Sequence, residues 1–245
     1  MSTERQNWLI TGAASGIGRA VARAAHAQGG HVVAVDLDEE GLSALADELA
    51  GVTTVAANVS LSEDADRIAS SAGDVDVLVN NAAIMDRMLL VDETPDDFWN
   101  RLVSVNLTGP FLLSKRVLPG MAERRRGVIV NVSSIAGLRG TFAGAAYTAS
   151  KHGLVGLTKN IAHTYRTDGV RCVCVCPGAT GFGSKGAIEE GAGFSERGLA
   201  RVGVMQDETL VGHPEEVASI ILFAASDGGA RLNGTTLIAD NGASV

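Results

Sequence analysis

Short runs of apolar, often β-branched residues alternate along the chain with longer amphipathic or alanine-rich stretches. The predicted strands are residues 8–11, 31–35, 53–56, 75–80, 128–132, 171–176 and 236–239. The predicted helices are residues 16–28, 39–50, 62–71, 96–123, 145–166 and 214–225. Nearly continuous apolar strands that alternate with helices indicate a parallel sheet covered on both faces. The pattern therefore predicts an α/β fold: a doubly wound, seven-stranded parallel sheet of Rossmann type with helices on both faces.

One segment, residues 179–213, interrupts this alternation because it is rich in glycine and contains no clear strand. It follows the sixth predicted strand, and loops of this length inside a domain are usually functional. We expect residues 1–245 to form a single domain in which this segment is a lid over the substrate; a disordered surface insertion is the alternative. The apolar side chains that we expect near the substrate are Phe182, Ile188, Phe194, Leu199, Val202, Met205, Met85, Leu138 and Phe142. They suggest a partly apolar substrate, and ordinary packing of the lid explains them equally well.

The overall charge of the chain excludes one class of partner. The formal net charge is -8 over 245 residues, and a nucleic-acid partner is not expected because phosphate binding needs a basic patch. No apolar run reaches the ~20 residues that span a bilayer, and the polar start of the chain lacks the apolar stretch of a signal peptide. These features predict a cytoplasmic protein with no membrane partner.

Three cysteines, Cys172, Cys174 and Cys176, alternate with valines in the sixth predicted strand. Alternate residues of a strand share one face, and a disulfide between such near neighbours is geometrically poor. A metal site would need further ligands, and no nearby histidine supplies them. We interpret the cysteines as small buried packing residues and predict no metal.

A glycine-rich turn, TGAASGIG, follows the first predicted strand directly and leads into a helix. Glycine permits a tight turn and lets the backbone approach a pyrophosphate, which the N–H groups at the start of the helix attract. The GxxxGxG spacing departs from the GxGxxG fingerprint of dinucleotide sites. The residues of this turn that we expect to contact a cofactor are Gly12, Ser15, Gly16, Ile17 and Gly18.

Asp36 ends the second predicted strand, 18 residues after Gly18. An acidic residue near this position takes the ribose hydroxyls of NAD and repels the 2′-phosphate of NADP. Leu37 follows it, and no cation stands in an obvious position to attract NADP, although Arg19 lies nearby on the predicted helix. The pattern favours NAD.

Tyr147 and Lys151 are four residues apart on a predicted helix, which puts both side chains on one face. A free tyrosine has a pKa near ~10, and a neighbouring ammonium lowers that pKa by stabilising the phenolate. Such a phenol becomes a general acid or base at a substrate oxygen. Ser134 ends the fifth predicted strand, where its hydroxyl is expected to orient the same oxygen; the alternative is that it satisfies a loop backbone group.

Over essentially its whole length the sequence resembles the single-domain short-chain dehydrogenases/reductases. TGAASGIG resembles the nucleotide turn of that family, Asn81 and Ala82 lie in a segment that resembles its NNA strand end, and Asn106 resembles its helix asparagine. Ser134, Tyr147 and Lys151 match its catalytic serine, tyrosine and lysine, and Pro177 and Gly178 resemble its PG turn. The resemblance implies a dinucleotide-binding domain that moves a hydride between NAD and a secondary alcohol or ketone.

The resemblance also implies roles for individual residues. Tyr147 is the general acid/base, Lys151 holds the ribose hydroxyls, and Asn106 holds a water that links the lysine to solvent. Thr180 contacts the carboxamide of the cofactor. Relatives are commonly tetramers joined through the long helices, so a homotetramer is expected.

Two positions depart from the family pattern. Ala83 replaces the glycine of NNAG, which tightens the backbone near the nicotinamide. Asn58 precedes Val59 where the family often has Asp-Val, and the Asn58 amide oxygen is expected to accept a hydrogen bond from the adenine amino group. Two other functions stay open: a non-catalytic dinucleotide-binding sensor or scaffold on the same fold, and an NADP-dependent ketone reductase.

Overall fold

The computed structural model describes residues 5–181, 193–202 and 211–245. Its strands are β1 (Asn7–Thr11), β2 (His31–Asp36), β3 (Thr53–Ala56), β4 (Val77–Asn80), β5 (Gly127–Val132), β6 (Val170–Pro177) and β7 (Thr236–Ala239). All neighbouring pairs are parallel, and the order across the sheet is β3-β2-β1-β4-β5-β6-β7. The predicted doubly wound seven-stranded sheet is confirmed.

Helices cover both faces of this sheet. They are α1 (Gly16–Ala27), α2 (Glu39–Glu48), α3 (Ser62–Ala72), α4 (Asp96–Val103), α5 (Gly109–Glu123), α6 (Ala145–Thr164), α7 (Glu196–Arg201) and α8 (Pro214–Ala225). Apolar residues of α1, α2 and α8 pack on one face, and those of α3, α5 and α6 pack on the other. Each face therefore has its own hydrophobic core, which explains why the strands are apolar on both sides.

The helix predicted over residues 96–123 is interrupted. It is α4 and α5 joined by a π-helical turn, Ser104–Thr108. Pro110 lies in the first turn of α5, and proline has no N–H to donate to the carbonyl four residues earlier, that of Asn106. The regular helical hydrogen-bond ladder cannot continue through this point.

The cysteines of β6 are free and buried, and the Sγ atoms of Cys174 and Cys176 lie 3.8 Å apart. Burial raises the pKa of the Cys172 thiol to about 12, as expected for a packing residue rather than a reactive one. Among the described residues, no helix is both long enough and apolar enough to cross a membrane.

Candidate active site

The carboxyl ends of six strands, β1 to β6, meet around one cavity of about 1130 Å³. It lies where the strand order reverses between β1 and β4, which is where open parallel sheets bind ligands. The residues of the cavity wall that directly follow these strands include Gly12, Leu37, Ala57, Asn81, Ser133 and Gly178. Side chains that are far apart in the sequence therefore share one site.

The glycine turn after β1 is shaped by close backbone contacts. Gly12 has φ 67° and Gly16 has φ 51°, in the left-handed region that favours glycine. A Cβ on Gly18 would overlap the carbonyl oxygen of Gly12. The Asn81 amide donates to the carbonyl oxygens of Thr11 (3.0 Å) and Gly12 (3.2 Å), which holds the turn against the loop after β4. The turn thus presents its backbone and the start of α1 to the cavity, as an anion site requires.

Acidic side chains dominate the end of the cavity beside β2. The Asp36 carboxylate accepts hydrogen bonds from the backbone N–H groups of Ala14 (3.0 Å) and Leu37 (2.7 Å), so it joins the glycine turn to β2. Asp38, which the sequence reasoning missed, also lines the cavity. The Arg19 guanidinium donates to Glu48 (3.1 Å), and among the described residues Arg19 does not line the cavity. The end of the cavity beside β2 is therefore negative.

Tyr147 and Lys151 lie on one face of α6 and both line the cavity. They are 9% and 2% exposed, and the Lys151 Nζ lies 5.4 Å from the centre of the Tyr147 ring. Nζ donates to the carbonyl oxygen of Val132 at 2.9 Å, which ties the helix to the end of β5. Ser134 lines the same cavity, and its Oγ accepts a hydrogen bond from the backbone N–H of Ala136 at 3.1 Å.

Burial controls the ionisation of both helix residues. Burial raises the pKa of Tyr147, and the nearby Asp86 and Cys176 raise it further. A hydrogen bond with Ser134 lowers this pKa by a smaller amount. Burial also lowers the pKa of Lys151 to about 8. The expectation that Lys151 lowers the pKa of Tyr147 does not hold in this structure, because the cost of burying a phenolate is larger.

Asn106 lies in the π-helical turn, behind the cavity wall. Its Oδ1 accepts from the backbone N–H of Ile84 (2.9 Å), and its Nδ2 donates to the Ile84 carbonyl (3.0 Å) and to the Ser150 Oγ (3.3 Å). The side chain therefore fastens the loop after β4 to α6. Its expected part in a water relay stays a prediction.

A family model described as short chain dehydrogenase matches residues 6–191. The chain belongs to the short-chain dehydrogenase/reductase family. A relative from Eggerthella lenta, "3beta-hydroxysteroid dehydrogenase 2", is 39% identical over 97% of this chain and 94% of the relative. A second relative, "Short-chain dehydrogenase/reductase olcF" from Penicillium canescens, is 38% identical over 97% and 96% of the two chains.

Solved structures of other proteins share the fold of this chain. A 3-ketoacyl-(acyl-carrier-protein) reductase from Brucella melitensis, complexed with NADH, aligns with a TM-score of 0.87 and 28% identity, covering 100% of both chains. Levodione reductase aligns with a TM-score of 0.84 and 29% identity, covering 98% of both chains. The resemblance recognised from the sequence motifs is thus confirmed.

The cavity brings together nearly all the predicted cofactor residues. Those in its wall are Gly12, Ser15, Gly16, Ile17, Asp36, Leu37, Asn58, Val59, Asn81, Ala82, Tyr147, Lys151, Pro177, Gly178 and Thr180. Gly18 does not line it among the described residues; its place is behind the turn, where a side chain would collide with Gly12. The acceptor predicted at Asn58 is also in use, because its Oδ1 accepts from the backbone N–H (3.0 Å) and the hydroxyl (2.7 Å) of Ser60.

The other side of the cavity is mostly apolar. Its wall includes Ile84, Met85, Met88, Ile135, Phe142, Phe194, Leu199 and Val211. Leu138, expected there, packs instead against the cysteines of β6. Phe182, Ile188 and Met205 lie outside the described residues, and Val202 does not line the described wall. The described part of the expected lid contains α7, whose Arg197 pairs with Asp92 and Glu93 at 3.1 Å.

One acidic residue of the site, Asp86, escaped the sequence reasoning. It is fully buried (0% exposed) between the loop after β4 and the start of α6. Its carboxylate accepts hydrogen bonds from the backbone N–H groups of Gly144 and Tyr147, at 3.1 and 3.0 Å. No motif or spacing in the sequence marks this residue.

Proposed function

We propose that this chain is an NAD-dependent dehydrogenase that interconverts an apolar secondary alcohol and the corresponding ketone, with Tyr147 as general acid/base. The observation that carries the proposal is the convergence of Ser134, Tyr147 and Lys151 on the cavity that the glycine turn also lines. A scaffold that only bound a dinucleotide would need the turn, but it would not need a buried phenol and ammonium beside it.

The residues of the cavity fit a nicotinamide dinucleotide. The glycine turn packs so closely that a Cβ on Gly12 would lie 2.7 Å from Asn81 Nδ2, and this open backbone suits a pyrophosphate. Asp36 would take the ribose hydroxyls of the adenosine half, and Pro177, Gly178 and Thr180, which also line the cavity, would contact the nicotinamide half. When bound, the cofactor accepts or donates the hydride.

The charges at the ribose end favour NAD over NADP. Asp36 and Asp38 both line the cavity, and a 2′-phosphate there would meet two carboxylates. Arg19, the candidate cation for such a phosphate, is paired with Glu48.

In alcohol oxidation, Tyr147 in its ionised form takes the proton of the substrate hydroxyl, while the Ser134 hydroxyl hydrogen-bonds the substrate oxygen. Lys151 has three N–H donors, and Val132 accepts one of them, so the remaining donors are suited to ribose hydroxyls. Because Pro110 has no N–H, the Asn106 carbonyl lacks its usual α-helical donor and is a suitable acceptor for a relay water.

The apolar wall supports a bulky, mostly apolar substrate. Met85, Met88 and Phe142 face the cavity from one side, and Phe194 and Leu199 face it from the described part of the lid. The relative from Eggerthella lenta carries the name of a 3β-hydroxysteroid dehydrogenase, so a 3β-hydroxysteroid is the first substrate to test.

The expected homotetramer joined through the long helices stays a prediction from the sequence. The cytoplasmic location stays a prediction from the sequence.

The test is NADH formation from NAD⁺ and a panel of hydroxysteroids and smaller secondary alcohols. Tyr147→Phe should lower kcat by at least about 10²-fold while NAD binding, measured by calorimetry, is retained. Tyr165→Phe is the matched control, because Tyr165 ends the same helix and does not line the described cavity. Undiminished turnover in Tyr147→Phe would refute the proposed function.

A further inference from the structure

The first turn of α6 takes its capping group from another part of the chain. Gly144 is the N-cap residue and has no side chain to accept hydrogen bonds from the first N–H groups of the helix. The Asp86 carboxylate does this instead: Oδ1 accepts from Gly144 N–H and Oδ2 from Tyr147 N–H. A residue 61 positions before the general acid/base therefore caps its helix.

The same carboxylate also folds its own loop. Asp86 Oδ1 accepts from the N–H of Met88 at 3.1 Å, and the loop turns through Arg87 and Met88, which have φ of 57° and 58°. Non-glycine residues in this left-handed region are strained, and they persist where the surroundings hold them. Met85 and Met88 line the cavity, so Asp86 joins the substrate wall to the helix of Tyr147.

The fit around Asp86 requires glycine at position 144. A Cβ there would lie 2.6 Å from Asp86 Oδ2 and 2.5 Å from the carbonyl oxygen of Leu89. The Leu89 carbonyl in turn accepts the N–H of Ala145 at 3.0 Å. The loop after β4 and the first turn of α6 thus approach so closely that only glycine fits between them.

We propose that Asp86 is a positioning residue for Tyr147: its carboxylate fixes the first turn of α6 and places a negative charge at the backbone N–H of Tyr147. Burial raises the pKa of the Asp86 carboxyl, and the hydrogen bonds from the N–H groups of Tyr147, Met88 and Gly144 oppose this by stabilising the ionised form. The inference rests on the proposed role of Tyr147 as general acid/base, which Asp86 influences without touching the substrate.

Other groups around the phenol also affect the pKa of Tyr147, and some raise it while others lower it. Lys151 lies beside the Tyr147 ring on α6, and Cys176 faces the ring from β6. The Ser134 hydroxyl forms a hydrogen bond with the phenol. From α4, Arg101 lines the same cavity. Beside Asp86, the guanidinium of Arg87 stacks on the Phe98 ring at 4.7 Å. A variant that removes the charge of Asp86 alone separates its contribution from these.

Asp86→Asn replaces one acceptor oxygen by an NH₂ group that faces backbone donors, and it removes the charge. The rising limb of kcat/KM against pH for alcohol oxidation should move to lower pH by about one unit, because a like charge nearby raises a pKa by about that much. We expect kcat at the plateau to fall at least tenfold as Tyr147 loses its hydrogen-bonded position. Asp92→Asn is the matched control, since Asp92 lies in the same loop, is exposed and pairs with Arg197.

A second readout needs no turnover. The chain has two tyrosines, so in Tyr165→Phe the absorbance of phenolate reports Tyr147 alone. Titration of this variant loaded with NAD⁺ should show phenolate at lower pH when Asp86→Asn is added. If Tyr147→Phe turns over normally, the proposed function fails, yet this titration still decides whether Asp86 acts on the phenol.

A purely structural residue would give a different outcome. Asp86→Asn would then lower kcat and thermal stability, but the pH midpoints of the kcat/KM profile and of the phenolate titration would not change. That result would overturn the proposal. If Asp86→Asn does not fold, Asp86→Ser removes the charge with a shorter side chain. The wild-type protein supplies a further test, because ¹³C-aspartate NMR must show every buried carboxyl ionised at the working pH. A protonated Asp86 there would also overturn the proposal.

Discussion

The buried ammonium of Lys151 makes a quantitative prediction about stability. Lys151 is 2% exposed, and burial lowers its pKa from 10.5 to about 8. The unfolded chain therefore holds the proton more tightly than the folded chain between these two pH values. The stability that the neutral lysine allows is fully present above pH 10.5 and is lost as the pH falls through 8.

The size of this effect follows from the two pKa values. Each tenfold difference in proton affinity is worth about 1.4 kcal/mol, so the difference between 10.5 and 8 corresponds to about 3 kcal/mol. In Lys151→Met an unbranched apolar side chain replaces the ammonium, and the hydrogen bond to Val132 is lost at a cost of about 1 kcal/mol. At pH 7 the variant should therefore be more stable than the wild type by about 2 kcal/mol, although it should be inactive.

Urea unfolding of both proteins from pH 6 to pH 10 measures this difference. The free energy of unfolding of Lys151→Met should exceed that of the wild type by less and less as the pH rises, and the excess should fall by about 2 to 3 kcal/mol over that range. The reason is that only the wild type gains stability by losing a proton from residue 151. Burial raises the pKa of Tyr147 and Cys172, which lowers stability at high pH in both proteins and largely cancels in the comparison. The exposed Lys159→Met, on the same helix, is the control. A wild-type-to-variant difference that does not change with pH would refute the reasoning.

Two further predictions concern the cofactor. Gly18→Ala should weaken NAD binding at least tenfold, because its Cβ would overlap the Gly12 carbonyl. Calorimetry measures the affinity. Gly156→Ala is the control, and it should bind NAD as the wild type does because the space around its Cβ is open. In Asp36→Ala, the dissociation constant for NADP divided by that for NAD should fall at least tenfold, since the substitution removes the carboxylate that repels a 2′-phosphate. Equal ratios in the wild type and Asp36→Ala would show that Asp36 does not select the cofactor.

The sheet and the cavity-facing motifs were predictable because each depends on local sequence. Buried parallel strands are continuous apolar runs, the glycine turn is contiguous, and Tyr147 and Lys151 are one helical turn apart. The break in the helix over 96–123 also had a local signal, Pro110, whose missing N–H marks the end of a regular ladder. That signal shows where a helix is disturbed, but it does not distinguish a π-helical turn from a kink or a loop.

Some properties of the site could not be predicted because local turn geometry or tertiary packing sets them. Charge spacing along a helix predicted a lowered pKa for Tyr147, whereas the depth of its burial raises that pKa. The amide oxygen of Asn58 looked available in the sequence, but the local turn gives it two donors from Ser60. Asp86 acquires two of its partners from the start of α6, whose N-cap residue, Gly144, lies 58 residues later in the chain. Neither spacing nor composition carries information about such a contact.

The buried charges of the site differ in how completely the protein satisfies them, and this difference separates structural from ligand-binding groups. Asp86 receives three backbone N–H donors and is enclosed; burial raises the pKa of its carboxyl, and these hydrogen bonds offset part of that cost. Within the described part of the chain, Lys151 has one hydrogen-bond acceptor, Val132, for three donors, and it lines the cavity. A buried cation with unused donors destabilises the fold, which is the physical origin of its lowered pKa. The same unused donors give ribose hydroxyls a place to bind, so the destabilisation predicted for Lys151 and its proposed cofactor contact have one cause.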